Sequence, residues 1–229
     1  MVSIFIRSIF AICCIFGSYG YARALVAYFQ RQMGVSDLYG TLMAFGIGAF
    51  FYLMLWLFFF SKRGNFWSVF EHEVIHALFA LLFFKKVHSF AATRKKGGMV
   101  EIEGGNFMIA LAPYFFPLVS VLLIGVKPFL PYRYQWILNG LLGFTLMFHL
   151  VHLTNEFHPE QPDIQRTGKI FSVIVIIFFN IFFIGLCIAA LDGRIAPMRG
   201  FVEMGFRDSI DFAMELFQRG EQEVRQRLL

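Results

Sequence analysis

The sequence predicts an all-α integral membrane protein of about six transmembrane helices, interrupted near its middle by one short β-hairpin. Three observations carry that expectation. A mean hydropathy of +0.66, with 58% hydrophobic residues, 32 phenylalanines and only 15% charged residues, exceeds what a soluble domain of 229 residues can bury. The apolar residues fall into separate runs of membrane-crossing length. Between two glycine pairs, by contrast, the pattern alternates with the period of a strand.

Taken in order, the runs long enough to cross the hydrocarbon are 4–20, 42–60, 66–84, 107–126, 136–152 and 170–191. The first has a second reading: residues 8–17 form a signal-peptide core ahead of the cleavage-like Ala22-Arg23-Ala24, but only Arg7 charges the region before it, which favours a retained span. Basic residues fall on both sets of alternate loops. Lys62, Arg63, Lys127 and Arg133 lie on one set and Lys85, Lys86, Arg94, Lys95 and Lys96 on the other; the richest short loop favours a cytoplasmic 85–96. The net charge of +5, concentrated in such loops, suits contact with a lipid bilayer and its anionic headgroups and argues against nucleic acid as a partner. Cys13, Cys14 and Cys187 are an odd set in apolar segments, without metal or disulfide spacing, and read as small apolar fillers.

The chemistry concentrates in the third run, which contains His72-Glu73-Val74-Ile75-His76. Two histidines four apart stack on one helical face, close enough to hold one zinc ion, and Glu73 between them is placed to take a proton from a water there. Trp67, Val69, Phe70, Val74 and Ile75, followed by an apolar stretch to Phe84, surround the motif on every face. Three ionisable groups at that depth cost a few kcal/mol each, a penalty that points to a function. The bland alternative, two satisfied core histidines and a glutamate reaching an arginine, explains neither the spacing nor that cost.

After this helix, Gly97-Gly98 and Gly104-Gly105 bracket Met99-Val100-Glu101-Ile102-Glu103. The alternation reads as a strand, with 87–93 as its hairpin partner. An edge at Val100, Glu101 and Ile102 could hold an unwound peptide by backbone hydrogen bonds, or simply be solvated. Pro113 and Pro117 then break the next run, and irregular backbone at depth survives only where protein or a wet cavity covers it.

A catalytic zinc takes three protein ligands, so one more carboxylate or histidine is expected. Asp163, in a proline-broken polar stretch, and Asp192, at the end of the last run, compete for that place. His149, His152 and Glu156 share one face of the fifth run. They read as groups that orient the ligands, as polar groups that together with Asn155 hold an oxyanion, or as residues merely near a membrane surface. The stretch 193–229 is polar, with Phe206, Ile210, Ala213, Met214 and Phe217 at helical spacing, and reads as an amphipathic helix lying on the membrane or on the protein's own loops.

From residue 66 to about 168 these features resemble the site-2 proteases, a family of intramembrane zinc metalloproteases. The matching words are His72 to His76, the glycine hairpin, Leu111-Ala112-Pro113, and a helix leading into Pro162-Asp163. Two positions depart from the family pattern: Ile164 follows Asp163 where the family has glycine, and Ala112 replaces a glycine. The resemblance implies His72, His76 and Asp163 as zinc ligands and Glu73 as catalytic base. It also implies a protease core at 66–168 and a substrate that is the transmembrane helix of another membrane protein; the first two runs and the last lie outside the resemblance but complete a membrane-embedded domain expected over 1–192. Asp192 would sit near a surface, about 9 to 15 Å from the depth of the histidines, which also favours Asp163. The expected location is a multi-pass position in a bacterial inner or other cellular membrane. A non-enzymatic metal carrier or sensor using His149, His152 and His158 is the rival; it has no use for Glu73, and no internal repeat is apparent.

Overall fold

The computed structural model describes residues 2–34, 38–61, 66–93, 97–158 and 160–228. Lys62, Arg63, Arg94, Lys95 and Lys96, which bear on orientation, lie outside them. Nine α-helices are described: α1 (Val2–Gly34), α2 (Leu38–Leu55), α3 (Phe66–Leu82), α4 (Phe107–Leu111), α5 (Leu118–Val126), α6 (Gln135–Glu156), α7 (Pro162–Thr167), α8 (Lys169–Ala190) and α9 (Ile195–Leu228). One antiparallel hairpin, β1 (Val87–Thr93) and β2 (Gly97–Ile102), follows α3.

Where the sequence predicts six spans, the described residues contain four helices long and apolar enough to cross a membrane: Ile4–Met33, Gly40–Phe60, Tyr132–Glu156 and Lys169–Ala190. A fifth is present if Phe107–Tyr114 and Leu118–Phe129 count as one broken span, bent by 83°. The bend has a local cause. Pro113 and Pro117 each lack the N–H that would continue the ladder, so α4 tightens into a 3₁₀ turn at Ala112–Tyr114 and α5 starts afresh. The run 66–84 is shorter as a helix than as a sequence. Phe84 adopts a left-handed φ of 56° and the Lys85 N–H returns to the Ala80 carbonyl at 2.8 Å, ending α3 after 17 residues. At 1.5 Å per residue that is about 25 Å, less than the ~30 Å hydrocarbon core.

α1 and α8 run side by side in the same direction. Arg7 lies over the Phe171 ring, the Tyr21 ring meets Phe178 and Phe182, and Gln32 donates to the Ile188 carbonyl. Ala22-Arg23-Ala24 falls in mid-helix, with Ala24 fully buried. α2 packs on α6 backbone to backbone: a Cβ at Gly48 or Gly143 would strike the carbonyl of Gly140 or Phe45, the close approach that small residues permit. α9 does not lie on loops. It returns antiparallel along α1, Phe201 against Tyr28 and Phe212 stacked on Tyr19 at 3.8 Å. The face it buries is Phe201, Gly205, Asp208 and Ser209, while Phe206, Ile210, Met214 and Phe217 stay exposed. Glycine and serine make that contact by letting the helices approach, so hydrophobic periodicity does not mark it.

The buried side chains form two clusters. One, built on Ile75, Phe79, Ile109, Leu111, Tyr114, Phe115, Ile164 and Val175, ties α3 to α4, α7 and α8. The other, on Tyr21, Tyr28, Leu142, Leu146, Cys187 and Phe201, joins α1, α6, α8 and α9 at the opposite end. Cys14 and Cys187 are buried free thiols, whereas Cys13 is exposed.

Candidate metal centre

Helical spacing puts the His72 and His76 rings on one face of α3, where their Nε2 atoms lie 3.1 Å apart. Asp163 arrives from α7. Pro162 opens that helix, at the position where its missing N–H costs nothing, and Asp163 occupies the first turn. Its Oδ2 lies 3.4 Å from His76 Nε2. Among the described residues, His72, His76 and Asp163 form the one group that could hold a metal ion, each offering one atom, all within 4.8 Å of one another.

Both rings are held from behind. His76 Nδ1–H donates to the Ile109 carbonyl at 2.9 Å, and His72 Nδ1–H to Glu156 Oε2 at 2.9 Å. A carbonyl and a carboxylate only accept, so both Nδ1 atoms carry the proton and both Nε2 atoms present bare lone pairs to each other. Two lone pairs at that separation repel unless a proton or a cation lies between them. Together with a carboxylate oxygen, this donor set could hold a metal ion. Ser68 supports the arrangement by donating its hydroxyl to the other oxygen of Glu156, and the Tyr114 ring stands edge-on to His72 at 5.4 Å.

Glu73 is buried and opens on the same cavity as the three candidate ligands, about 680 Å³ in volume. Strand β2 forms another wall through Gly98, Met99, Val100 and Ile102. Gly98 sits so close to Glu73 that a Cβ there would collide with Cγ and Oε1 of the glutamate. Glu101 is not in that wall, and its carboxylate accepts from the Ser89 hydroxyl at 3.3 Å.

The remaining candidates separate. His149 pairs with Asn180 Oδ1 at 3.2 Å, and His152 with the Tyr52 hydroxyl at 2.8 Å. Both edge a second, water-sized cavity of about 10 Å³ behind His72, with Glu71, Ser68 and Glu156. Asn155 is turned back onto its own helix, donating to the Val151 carbonyl at 2.7 Å. Of that face it is Glu156 that touches a candidate ligand. Asp192 is engaged elsewhere: Arg194 grips both its oxygens, one at 2.8 Å, and that bond first of all holds its carboxyl below the usual range. Spacing in the sequence singled out the 149–152–156 face but could not show that its partner is His72, 84 residues earlier. Nothing in the sequence marked Ser68 or the approach of Gly98 to Glu73. Comparison with family models, curated proteins and solved structures returned no match.

Proposed function

We propose that this chain is an intramembrane zinc metalloprotease, hydrolysing a peptide bond in or near a substrate transmembrane helix. The observation that carries the reading is the convergence of His72, His76 and Asp163 on one point, in a cavity shared with Glu73 and one face of β2. Zinc held by the three residues would polarise a peptide carbonyl and lower the pKa of a water beside it. Glu73 would accept the proton of the attacking water and return it to the leaving amine. Glu156 and the Ile109 carbonyl would keep the imidazoles in the tautomer and orientation that ligation needs. An extended substrate segment would add to the unpaired edge of β2, exposing a bond that a helix otherwise shields. In this reading α3 and the bent α4–α5 pair lie within the membrane alongside the four longer helices, six spans in all.

Replacing Glu73 by Gln keeps size and shape but removes the base. Glu73→Gln is expected to retain zinc and fold while losing cleavage of a membrane-helix substrate by at least about 10²-fold, the usual scale of a general base. His72→Ala and His76→Ala are expected to lose both. Zinc content and cleavage measured on the purified variants decide; full activity in Glu73→Gln would overturn the assignment.

A further inference from the structure

Two arginines share the wall of the large cavity with the candidate metal ligands: Arg7 from α1 and Arg166 from α7. Arg7 is unusual by position. It lies one turn inside the end of the candidate span Ile4–Met33, where a guanidinium facing lipid is expensive unless it reaches the interface, protein or water. Its one hydrogen bond among the described residues is long, Nη1 to the Thr167 carbonyl at 3.4 Å, and its guanidinium carbon stands 5.9 Å from the centre of the Phe171 ring. A guanidinium has five N–H donors, so most of its donor capacity is left over. Among the described residues no carboxylate lies within ion-pair distance of Arg7 or Arg166. Of the acids that share the cavity, Asp163 lies against His76 and is beyond ion-pair distance of both arginines, and Glu73 lies beneath Gly98.

Guanidinium groups facing a partly enclosed cavity recognise planar anions, and carboxylates above all, through paired charge-assisted hydrogen bonds. We infer that the cavity selects a peptide bearing a carboxylate, an acidic side chain or a free C-terminus, which Arg7 and Arg166 hold while the neighbouring residues lie along β2. This rests on the proposed proteolytic reading and names the substrate class for it. The competing role for Arg7 is purely structural, a cap on the last carbonyl of α7, and it predicts a different pattern of losses.

The test reads binding rather than turnover. Full-length Glu73→Gln, loaded with zinc in a neutral detergent, is titrated into three fluorescent versions of one peptide: Asp-containing and amidated, Asn-containing and amidated, and Asn-containing with a free C-terminus. At least one carboxylate-bearing peptide is expected to bind about tenfold tighter than the neutral one, the scale of a hydrogen bond between charged groups. Which of the two does so identifies the source of the carboxylate. Adding Arg7→Gln or Arg166→Gln should erase most of that preference and leave the neutral peptide unchanged, while Arg7→Lys should keep part of it. Arg166 is exposed, so its variant is informative even if Arg7→Gln folds poorly. Equal binding of all three peptides, or equal weakening of charged and neutral peptides in both arginine variants, would overturn the inference, the second outcome assigning the arginines to structure or to lipid headgroups. Because discrimination is measured at equilibrium, it can stand while wild-type protein fails to cleave; cleavage without discrimination would refute this inference alone.

Discussion

Removing the charge of Glu156 without changing its size tests how His72 is held. The carboxylate accepts from His72 Nδ1 and from Ser68, and such outer partners typically account for a 10–100-fold difference in metal affinity. Glu156→Gln should therefore weaken zinc binding by about that factor, seen as faster loss to a chelator, whereas Asn155→Ala, whose side-chain amide donates to its own helix, should leave it unchanged. The two aspartates separate in the same assay. Asp163→Ala is expected to lose zinc and cleavage together, since Asp163 Oδ2 lies 3.4 Å from His76 Nε2, and Asp192→Ala, occupied by Arg194, is expected to keep both. Equal losses in the two would mean that one of them acts through folding or through the groups around the ligands rather than by ligation. Local spacing made His72, Glu73 and His76 legible, because a helix converts a separation of four into a shared face. It left Asp163 and Asp192 in competition, because a ligand's approach through space is not written in its neighbours.

Among the elements, β2 is the one whose position relative to α3 matters most. β1 pairs one edge of β2, Phe90 opposite Val100 and Ala91 opposite Met99, and β2 lines the cavity through Gly98, Met99, Val100 and Ile102. The alternation between glycine pairs foretold a strand, but β2 runs Gly97–Ile102, taking the first glycine pair into the ladder opposite Thr93 and Ala92 instead of a turn and leaving Glu103 out. It could not foretell that Gly98 is there so that the strand can lie directly on Glu73. Gly98→Ala should push strand and base apart, and a displacement of about 1 Å can cost about 10²-fold in rate; cleavage should fall on that scale with zinc content unchanged. Proline placed in turn at Val100, Glu101 and Ile102 should cut cleavage wherever the removed N–H faced the substrate. If none of the three slows a correctly folded, zinc-loaded protein, β2 is a wall and not a docking edge. α9 shows the opposite limit of sequence reading: its apolar stripe is plain, yet it packs through Gly205 and Ser209, and only their contact with α1 reveals it.

At the scale of the whole molecule the two ends of the bundle differ in kind. At one end Lys127 donates to the Ala190 and Leu191 carbonyls, Gln32 reaches Ile188 and Asp192 pairs with Arg194, closing the C-terminus of α8 with protein groups. At the other end lie the start of α1, the end of α6 at Glu156, the whole of α7 and the start of α8. The candidate metal centre belongs to this second end, because Arg7 meets Thr167 and Glu156 meets His72. If the long helices cross a bilayer, a metal held there would be reached from the face on which α1 begins. Water and chelators would share that route, whereas at the opposite end the carbonyls closing α8 are occupied by Lys127 and Gln32. In sealed vesicles an impermeant chelator should strip zinc only from the population in which an N-terminal tag is accessible from the same side, and a permeant chelator should strip both populations. Zinc loss from the tag-inaccessible population at the same rate would mean that the path to His72 opens at the other face, and that the cavity walled by β2, Arg7 and Asp163 is not the entrance.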